Sequence, residues 1–182
     1  MTSTIRKIYK NHHHTVTLRE TISFHLSSDD EDNETLRITT SIERAKKLVD
    51  TIFPENQKLQ LIMILPDNFK KNILKKLLRR YTFTIIDSFC TDSWQEYYDK
   101  PVTVLVVETS INNLRLTKLI EGICYQDFPK YGKLTVEIPI IFYNNQTDTL
   151  LTIYDDRFAD IWSSDLKIQQ ELKQNVSSWI LN

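Results

Sequence analysis

The chain has 182 residues, with 23 Lys and Arg against 24 Asp and Glu, a formal net charge of −1 and 41% hydrophobic residues. This composition is typical of a globular protein that buries a core, and the balanced charge argues against a surface devoted to nucleic acid. Glycine occurs only at Gly122 and Gly132, which excludes glycine-rich phosphate loops. All four histidines lie in the first 25 residues, which excludes a histidine base from the rest of the chain.

The N-terminus contains no apolar leader, and the most apolar runs, Leu59–Leu65 and Val102–Val107, have seven and six residues, too few for a membrane span. The two cysteines, Cys90 and Cys124, are expected to be reduced and packed. We therefore expect a cytoplasmic protein.

The first half of the chain alternates strand and helix patterns. Thr21–Leu26 and Thr35–Thr39 are predicted strands. Thr40 and Glu43 match a capping box and predict the start of a helix that ends before Pro54. Further elements are predicted as the buried strand Leu59–Leu65, a helix from Asp67 to about Arg80, the strand Tyr81–Asp87 and the buried strand Val102–Val107.

The second half ends in closely spaced strands. Ser110 is predicted to cap a helix with its apolar face at Leu116, Leu119, Ile120, Ile123 and Cys124. The remaining predictions are strands at Leu134–Tyr143, Leu150–Tyr154 and Ala159–Trp162, and a final helix from Asp165 to Ile180. Pro139 indicates an edge or a bulge, and an edge strand there could pair with a second copy of the chain.

This order of elements favours a single mixed α/β domain over a purely parallel, doubly wound one. We predict the α+β class, with a mixed, largely antiparallel sheet packed by about four helices. The domain is predicted to cover residues 21–182, after an N-terminal extension at residues 1–20. We expect a monomer or a weak homodimer.

The predicted helix 68–80 carries the clearest charge signal. Its six cations are Lys70, Lys71, Lys75, Lys76, Arg79 and Arg80, with no acid between them. Such a face is most often simply solvated, but it could also bind an acidic protein or, less favoured because no aromatic residues interleave with the cations, nucleic acid. Lys75, Lys76 and Arg79 are the candidate binding residues of this helix.

Three other features favour a structural interpretation. The acidic stretch 29–34 lacks the ligand spacing of a calcium loop and is expected to be solvated or to dock on a basic partner. His12 and His14 have no further ligand beside them, so we assign no metal site. The aromatic residues Trp94, Tyr97 and Tyr98 are expected to fold onto the core, with an interface role as the alternative.

The string Tyr154-Asp155-Asp156-Arg157-Phe158, followed by Asp160, is the most distinctive in the sequence. Asp side chains favour turns because they accept hydrogen bonds from nearby backbone N–H groups. We therefore favour a hairpin turn stabilised by an Asp–Arg pair. Binding of a ligand by Asp155, Asp156, Arg157 and Asp160, or catalysis there, is the alternative.

This string and the terminal Trp179-Ile180-Leu181 resemble the bacterial domain of unknown function 3885 family, whose Y-D-D-R hairpin and W-I-L helix end they match. Softer similarity begins at about residue 21, as in Ile22-Ser23-Phe24-His25-Leu26. Phe158 departs from the family pattern, which has glycine there. If that glycine supplies a positive φ, this chain must form the turn differently.

The resemblance implies no established activity. In size and in lacking catalytic motifs, such domains are similar to small cytosolic proteins that neutralise bacterial toxins. We expect a non-enzymatic protein-binding module without catalytic residues or cofactor, in the form of an immunity protein against a cognate toxin. The alternatives are a nucleic-acid-associated protein that uses helix 68–80 and an enzyme or ligand site at the hairpin.

Overall fold

The computed structural model describes residues 21–27, 33–54, 57–67, 76–77, 83–92, 98–131 and 133–181. Its strands are β1 (Ile22–His25), β2 (Lys58–Leu65), β3 (Phe83–Thr91), β4 (Val102–Ser110), β5 (Ile140–Asn144), β6 (Thr149–Ile153) and β7 (Phe158–Ser163). Its α-helices are α1 (Glu34–Ile52), α2 (Leu116–Cys124) and α3 (Leu166–Asn175). Short 3-10 helices lie at Ile111–Asn113, Pro129–Tyr131 and Ser177–Trp179.

The seven described strands form one sheet in the order β1-β7-β6-β5-β2-β4-β3. Every pairing between these strands is antiparallel. The α+β class predicted from the sequence is therefore confirmed. The prediction that the late strands form hairpins is also confirmed, since β5, β6 and β7 are neighbours in both sequence and space.

The two faces of the sheet differ in what packs on them. The larger hydrophobic cluster joins one face of the sheet to all three helices, and includes Leu48 of α1, Ile120 of α2 and Leu172 of α3. The second face carries a smaller cluster that is built from strand residues such as Ile62, Val104 and Leu150. Since β2 and β4 bury side chains on both faces, their nearly continuous apolar sequences are accounted for. Among the described helices, none combines the length and apolar character needed to cross a membrane.

The predicted strand Thr35–Thr39 is wrong, because these residues form the first turns of α1. The helix begins at Glu34, where the side chain of Asn33 accepts a hydrogen bond from the N–H of Leu36 at 3.0 Å. Buried Ile38 and Ser41 continue the inward face that Ala45 and Leu48 form further along. Packing of this face overrides the strand preference of the β-branched residues, and the predicted cap at Thr40 lies inside the helix.

Two other helix boundaries differ from the prediction. Ser110 makes no capping hydrogen bond with its side chain; a 3-10 turn follows it, and α2 begins only at Leu116. Helix α3 begins after Asp165, as predicted, but ends at Asn175 rather than Ile180. The C-terminal residues extend along β1 instead, where Ile180 bridges Phe24 and the N–H of Leu181 donates to the carbonyl of Ser23 at 2.9 Å.

The predicted strand Leu134–Tyr143 is shorter and lies inside the sheet. Because proline lacks an N–H group, regular pairing begins after Pro139, at Ile140. Strand β5 then pairs with β2 on one side and β6 on the other. The proposal that this segment is an edge that pairs with a second copy is therefore wrong. Strand β3 also differs from the prediction, because it continues beyond Asp87 to Thr91.

Several sequence predictions lie partly or wholly outside the described residues. These are the histidines His12–His14, the acidic residues Asp29–Asp32, the aromatic residues Trp94 and Tyr97, and most of helix 68–80, of which Lys76 and Leu77 are described and helical. Tyr98 packs against the cluster of the second face, as expected for an aromatic residue folded onto the core. Cys124 is buried, but Cys90 is exposed, so the prediction that both thiols are packed is wrong for Cys90.

Candidate functional site at the β6–β7 hairpin

The loop between β6 and β7 is closed by the side chain of Asp155. The N–H of Tyr154 donates to the carbonyl of Phe158 at 3.1 Å and completes the end of the hairpin. Asp155 Oδ1 accepts from the backbone N–H groups of Arg157, at 2.7 Å, and Phe158, at 3.2 Å. This is the local Asx bonding that makes aspartate favourable in turns.

Asp155 also binds Arg157 through its second oxygen. Asp155 Oδ2 accepts from Nε of Arg157 at 3.0 Å and from Nη2 at 2.5 Å. The hydrogen bonds and charge of Asp155 raise the pKa of the Arg157 guanidinium. Arg157 Nη2 also lies 3.9 Å from the carboxylate of Asp127, and the Arg157 side chain remains 53% exposed. The Asp–Arg pair that the sequence suggested is therefore present within the turn.

Phe158, where the resemblance led us to expect glycine, has no backbone strain. Among the described residues other than glycine, only Asp99 and Asp148 have positive φ values. The turn from Tyr154 to Phe158 therefore uses ordinary backbone conformations, and a β-carbon at position 158 costs nothing there.

Asp156 is buried and binds a different arginine from Asp155. Its Oδ2 lies 3.0 Å from Nε of Arg37 in α1, and its carbonyl accepts a hydrogen bond from the hydroxyl of Ser41. Burial raises the pKa of the Asp156 carboxyl; Arg37 opposes this shift, and the charge of Asp155 adds to it. A buried carboxylate of this kind depends on its cation, because removal of one partner leaves an uncompensated charge.

The backbone of the loop is bonded to three other parts of the fold. The N–H of Leu26, directly after β1, donates to the carbonyl of Arg157 at 2.6 Å. Nε2 of Gln126, just beyond α2, donates to the carbonyl of Tyr154 at 2.7 Å, and the Cys124 thiol lies 3.9 Å from the carbonyl of Asp155. Together with Ser41 of α1, these contacts fix the loop where β1, α1 and α2 meet.

The carboxylates of Asp127, Asp155 and Asp156 come close to one another, with one oxygen of each within 4.8 Å of the others. Such a cluster can hold a cation in principle. Here, however, Arg157 engages Asp155 and Arg37 engages Asp156, and the two arginines already supply the balancing charge. The contacts favour an ion-pair lock, formed by Arg37, Asp155, Asp156 and Arg157, over a metal site.

Aromatic rings on the second face of the sheet flank this lock. Tyr154 and Phe158 lie opposite each other across the hairpin and are 37% and 38% exposed. The Phe158 ring lies 5.6 Å from the ring of His25 and 6.0 Å from the guanidinium of Arg157. The hydroxyl of Tyr154 donates to Asp160 at 2.9 Å, and burial, with the nearby charge of Asp160, raises the tyrosine's pKa. We call His25, Tyr154, Arg157, Phe158 and Asp160 the hairpin surface.

The charged segments predicted from the sequence are placed elsewhere. Lys75 and Arg79 lie outside the described residues, whereas Lys76 is exposed and lies beside Arg115, whose Nη1 is 3.4 Å from the Lys76 carbonyl. Of the acidic stretch, Glu34 is described and pairs with Lys130 at 2.8 Å. This contact lowers the pKa of Glu34. The roles predicted for these residues in binding stay predictions.

Two residues of α1 that complete the site, Arg37 and Ser41, were not predicted from the sequence. Arg37 and Ser41 were assigned to a strand and to a helix start, although they lie four residues apart and so share one helix face. A long helix over residues 34–52 would have placed both beside the buried positions Ala45 and Leu48. Asp127 carried no signal, because its contact with Arg157 depends on the tertiary fold.

Comparison with known proteins gives a family but no solved structure. The family described as Domain of unknown function (DUF3885) matches residues 1–182. The chain is 32% identical over 72 residues to the uncharacterized protein YnaE of Bacillus subtilis (strain 168), a match that covers 37% of this chain and 34% of that protein. No solved structure matches the chain. Because the family match spans the whole chain, this protein belongs to the DUF3885 family of domains of unknown function.

Proposed function

We propose that this protein is a non-enzymatic protein-binding module and that the hairpin surface contacts its partner. The proposal rests on a single observation, which is that the hairpin combines fully paired charged groups with exposed aromatic rings. The carboxylates of Asp155 and Asp156 are engaged by arginines of the same chain, while the rings of Tyr154 and Phe158 beside them are more than a third exposed. The ion pairs of Asp155 and Asp156 therefore hold the loop rigid, and the loop in turn holds the exposed rings in place.

The residue types on the hairpin surface suit a protein partner. Tyrosine, phenylalanine and arginine are enriched at protein interfaces, and tyrosine and arginine are frequent among the residues whose truncation costs most binding energy. The rings are already held by neighbours, since Phe158 contacts His25 and Tyr154 bonds Asp160. Little conformational entropy is then lost when a partner packs on them.

The specific form of this function is that of an immunity protein that blocks a bacterial toxin. It rests on the analogy of size and absent catalytic motifs drawn from the sequence. Blocking requires a stable complex, which buries about 1,000 Å² or more in total. The exposed aromatic residues of the hairpin surface would lie at the centre of such an interface.

The test is affinity capture from the native cell with three tagged proteins: the wild type, Phe158→Ala and Leu166→Ala. Leu166 is 67% exposed on α3 and supplies a matched control for loss of an exposed apolar side chain. We expect one protein to be retained in stoichiometric amount by the wild type and the control, at low and high salt. Retention by Phe158→Ala should fall by about tenfold or more, as for a residue worth over 1.4 kcal/mol.

Thermal unfolding of the three proteins establishes that Phe158→Ala is folded. Capture of no stoichiometric protein, or equal capture by Phe158→Ala and the wild type, would overturn the proposal. The toxin form has its own test, in which the captured protein is expressed alone and then with this chain. Growth arrest that co-expression relieves supports it; a partner that does not inhibit growth removes the toxin form and leaves protein binding in place.

A further inference from the structure

A cavity at the start of α2 is lined mainly by cationic side chains. It has a volume of about 340 Å³. Its lining residues are Lys76, Arg115, Lys118, Glu121, Lys133 and Leu134. Four cations against one carboxylate leave a formal charge of +3 around a small concave space. We infer that this basic cavity binds a small phosphorylated molecule, a function that goes beyond protein binding at the hairpin surface.

The walls of the cavity are fixed by the fold. Arg115 is held to the neighbouring helical segment, because its N–H donates to the carbonyl of Leu77 at 2.9 Å. The irregular segment with Lys133 and Leu134 is tied to α2 by the bond from the N–H of Val136 to the carbonyl of Gly122, at 2.8 Å. A β-carbon at Gly122 would lie only 2.6 Å from Cγ2 of Val136, so this approach is as close as glycine permits.

The cations of the cavity outnumber its carboxylates, since Glu121 is the one acidic residue among the described residues of the lining. Within the part of the chain that the structure describes, none of the four forms an ion pair, whereas Lys58, Lys130, Arg37 and Arg157 each pair with a carboxylate. Lys133 contacts the ring of Tyr125, with its Nζ 5.9 Å from the ring centroid. Like charges brought together without compensation destabilise the fold, and an anionic ligand would relieve that repulsion.

The amino end of α2 adds to the positive potential. Arg115 is its N-cap residue and makes no capping bond with its side chain, and the first turn contains no acidic residue. The free N–H groups and the helix dipole therefore stay uncompensated next to the cavity, an arrangement that favours phosphate. Arg115 can also offer its guanidinium fork to two phosphate oxygens.

The other lining residues indicate the chemistry of the part of the ligand that is attached to the phosphate. Glu121 lies one helical turn after Lys118 and presents an acceptor that repels phosphate but suits a hydroxyl donor. Leu134 is the only apolar residue among the described residues of the lining, and the volume lies at the lower end of small-molecule sites. A phosphorylated sugar, either free or as the ribose phosphate of a nucleotide, satisfies both features, with phosphate on the cations and a hydroxyl on Glu121.

The experiment measures binding to the full chain by calorimetry, with inorganic phosphate, ribose 5-phosphate, ATP and a short single-stranded DNA as probes. We expect ribose 5-phosphate or ATP to bind, with an affinity that falls as salt increases. Lys118→Met and Arg115→Gln should each weaken binding about tenfold, as for loss of a charge-assisted hydrogen bond. Lys173→Met, which removes an equal charge from α3, should leave the affinity for these probes unchanged.

A fourth variant tests the role of the carboxylate. Glu121→Met should lower the affinity for ribose 5-phosphate relative to inorganic phosphate, because it removes the acceptor for the sugar hydroxyl, whereas the loss of the charge that repels phosphate favours both probes alike. An unchanged ratio contradicts the assigned hydroxyl contact and with it the sugar phosphate.

Three results would overturn the inference. They are the absence of binding by every small phosphorylated probe, equal effects of Lys118→Met and Lys173→Met, and binding of DNA that is tighter than that of any small probe. The last result would assign the cavity to nucleic acid instead. None of these variants changes the hairpin surface, so failure here is distinguishable from failure of the proposed protein-binding function.

Discussion

Asp155 and Asp156 are neighbours in sequence, yet their carboxylates have different structural roles. Asp155 closes its own turn and binds Arg157, two residues away. Asp156 is buried and binds Arg37, which is 119 residues away in the chain. The sequence from Tyr154 to Phe158 predicts the role of Asp155, because aspartate in a turn accepts hydrogen bonds from nearby N–H groups. The role of Asp156 could not be predicted, since its partner Arg37 lies in the first turns of α1, before the predicted helix start at Thr40.

The Arg37–Asp156 pair gives a prediction about stability. Arg37→Met preserves most of the apolar stem, but it removes the guanidinium that lies over the Phe128 ring and leaves the Asp156 carboxylate buried without a cation. We expect the free energy of unfolding at neutral pH to fall by about 3 kcal/mol, measured by urea denaturation. The double variant Arg37→Met/Asp156→Asn should recover a large part of that loss, because the buried charge is then absent.

The same variant should depend on pH in a defined direction. Burial already raises the pKa of Asp156 above its ordinary 3.8, and loss of Arg37 raises it further. Between the unfolded and folded pKa values the folded protein binds more protons, so stability rises as the pH falls through that window. The deficit of Arg37→Met should therefore shrink at mildly acidic pH. A deficit that stays constant, together with no recovery in the double variant, would show that Asp156 is not the cause.

At the scale of elements, helices and strands were predicted best where a hydrophobic pattern alone determines them. The runs in β2 and β4 are buried on both faces of the sheet, and their strand assignments are confirmed. Boundaries were wrong where a local motif was chosen over a tertiary contact. Thr40 and Glu43 match a capping box, but the helix face that includes Ile38 packs on the sheet and extends α1 back to Glu34.

The start of α1 can be tested with two alanine variants. Asn33→Ala removes the side chain that accepts from the N–H of Leu36, and we expect a loss of about 1 kcal/mol in the free energy of unfolding. Thr40→Ala is the matched control; it lies inside the helix, where alanine has the higher propensity, so stability should be unchanged or about 0.5 kcal/mol higher. The reverse pattern would mean that the helix starts at Thr40, as the capping box indicates.

At the scale of the whole molecule, the long-range pairings are the part that the sequence could not predict. The hairpins β5–β6 and β6–β7 follow from short polar connections. The pairing of β1 with β7, and of β2 with both β4 and β5, joins distant segments for which alternating patterns give no partner. The hairpin loop also joins distant segments, because β1, α1 and α2 all contact it. Its opening should therefore accompany loss of the global fold.

The two cysteines provide a measurement of that opening. Cys90 is exposed, whereas Cys124 is buried with its thiol 3.9 Å from the carbonyl of Asp155. Burial raises the pKa of the Cys124 thiol, and the charges of Asp156 and Asp155 add to the shift, so Cys124 reacts only in molecules that have opened.

We expect a thiol reagent to label Cys90 rapidly and Cys124 at a rate proportional to the opened population, followed by mass spectrometry of the two peptides. In Arg37→Met, a loss of about 3 kcal/mol corresponds to labelling of Cys124 roughly 150-fold faster, while the rate at Cys90 serves as the internal control. Labelling of Cys124 that is fast in the wild type, or unaffected by Arg37→Met, would mean that the loop opens without the rest of the fold. Acceleration by the expected factor would show instead that the ion-pair lock and the core unfold as one cooperative unit, because the same free energy then governs both.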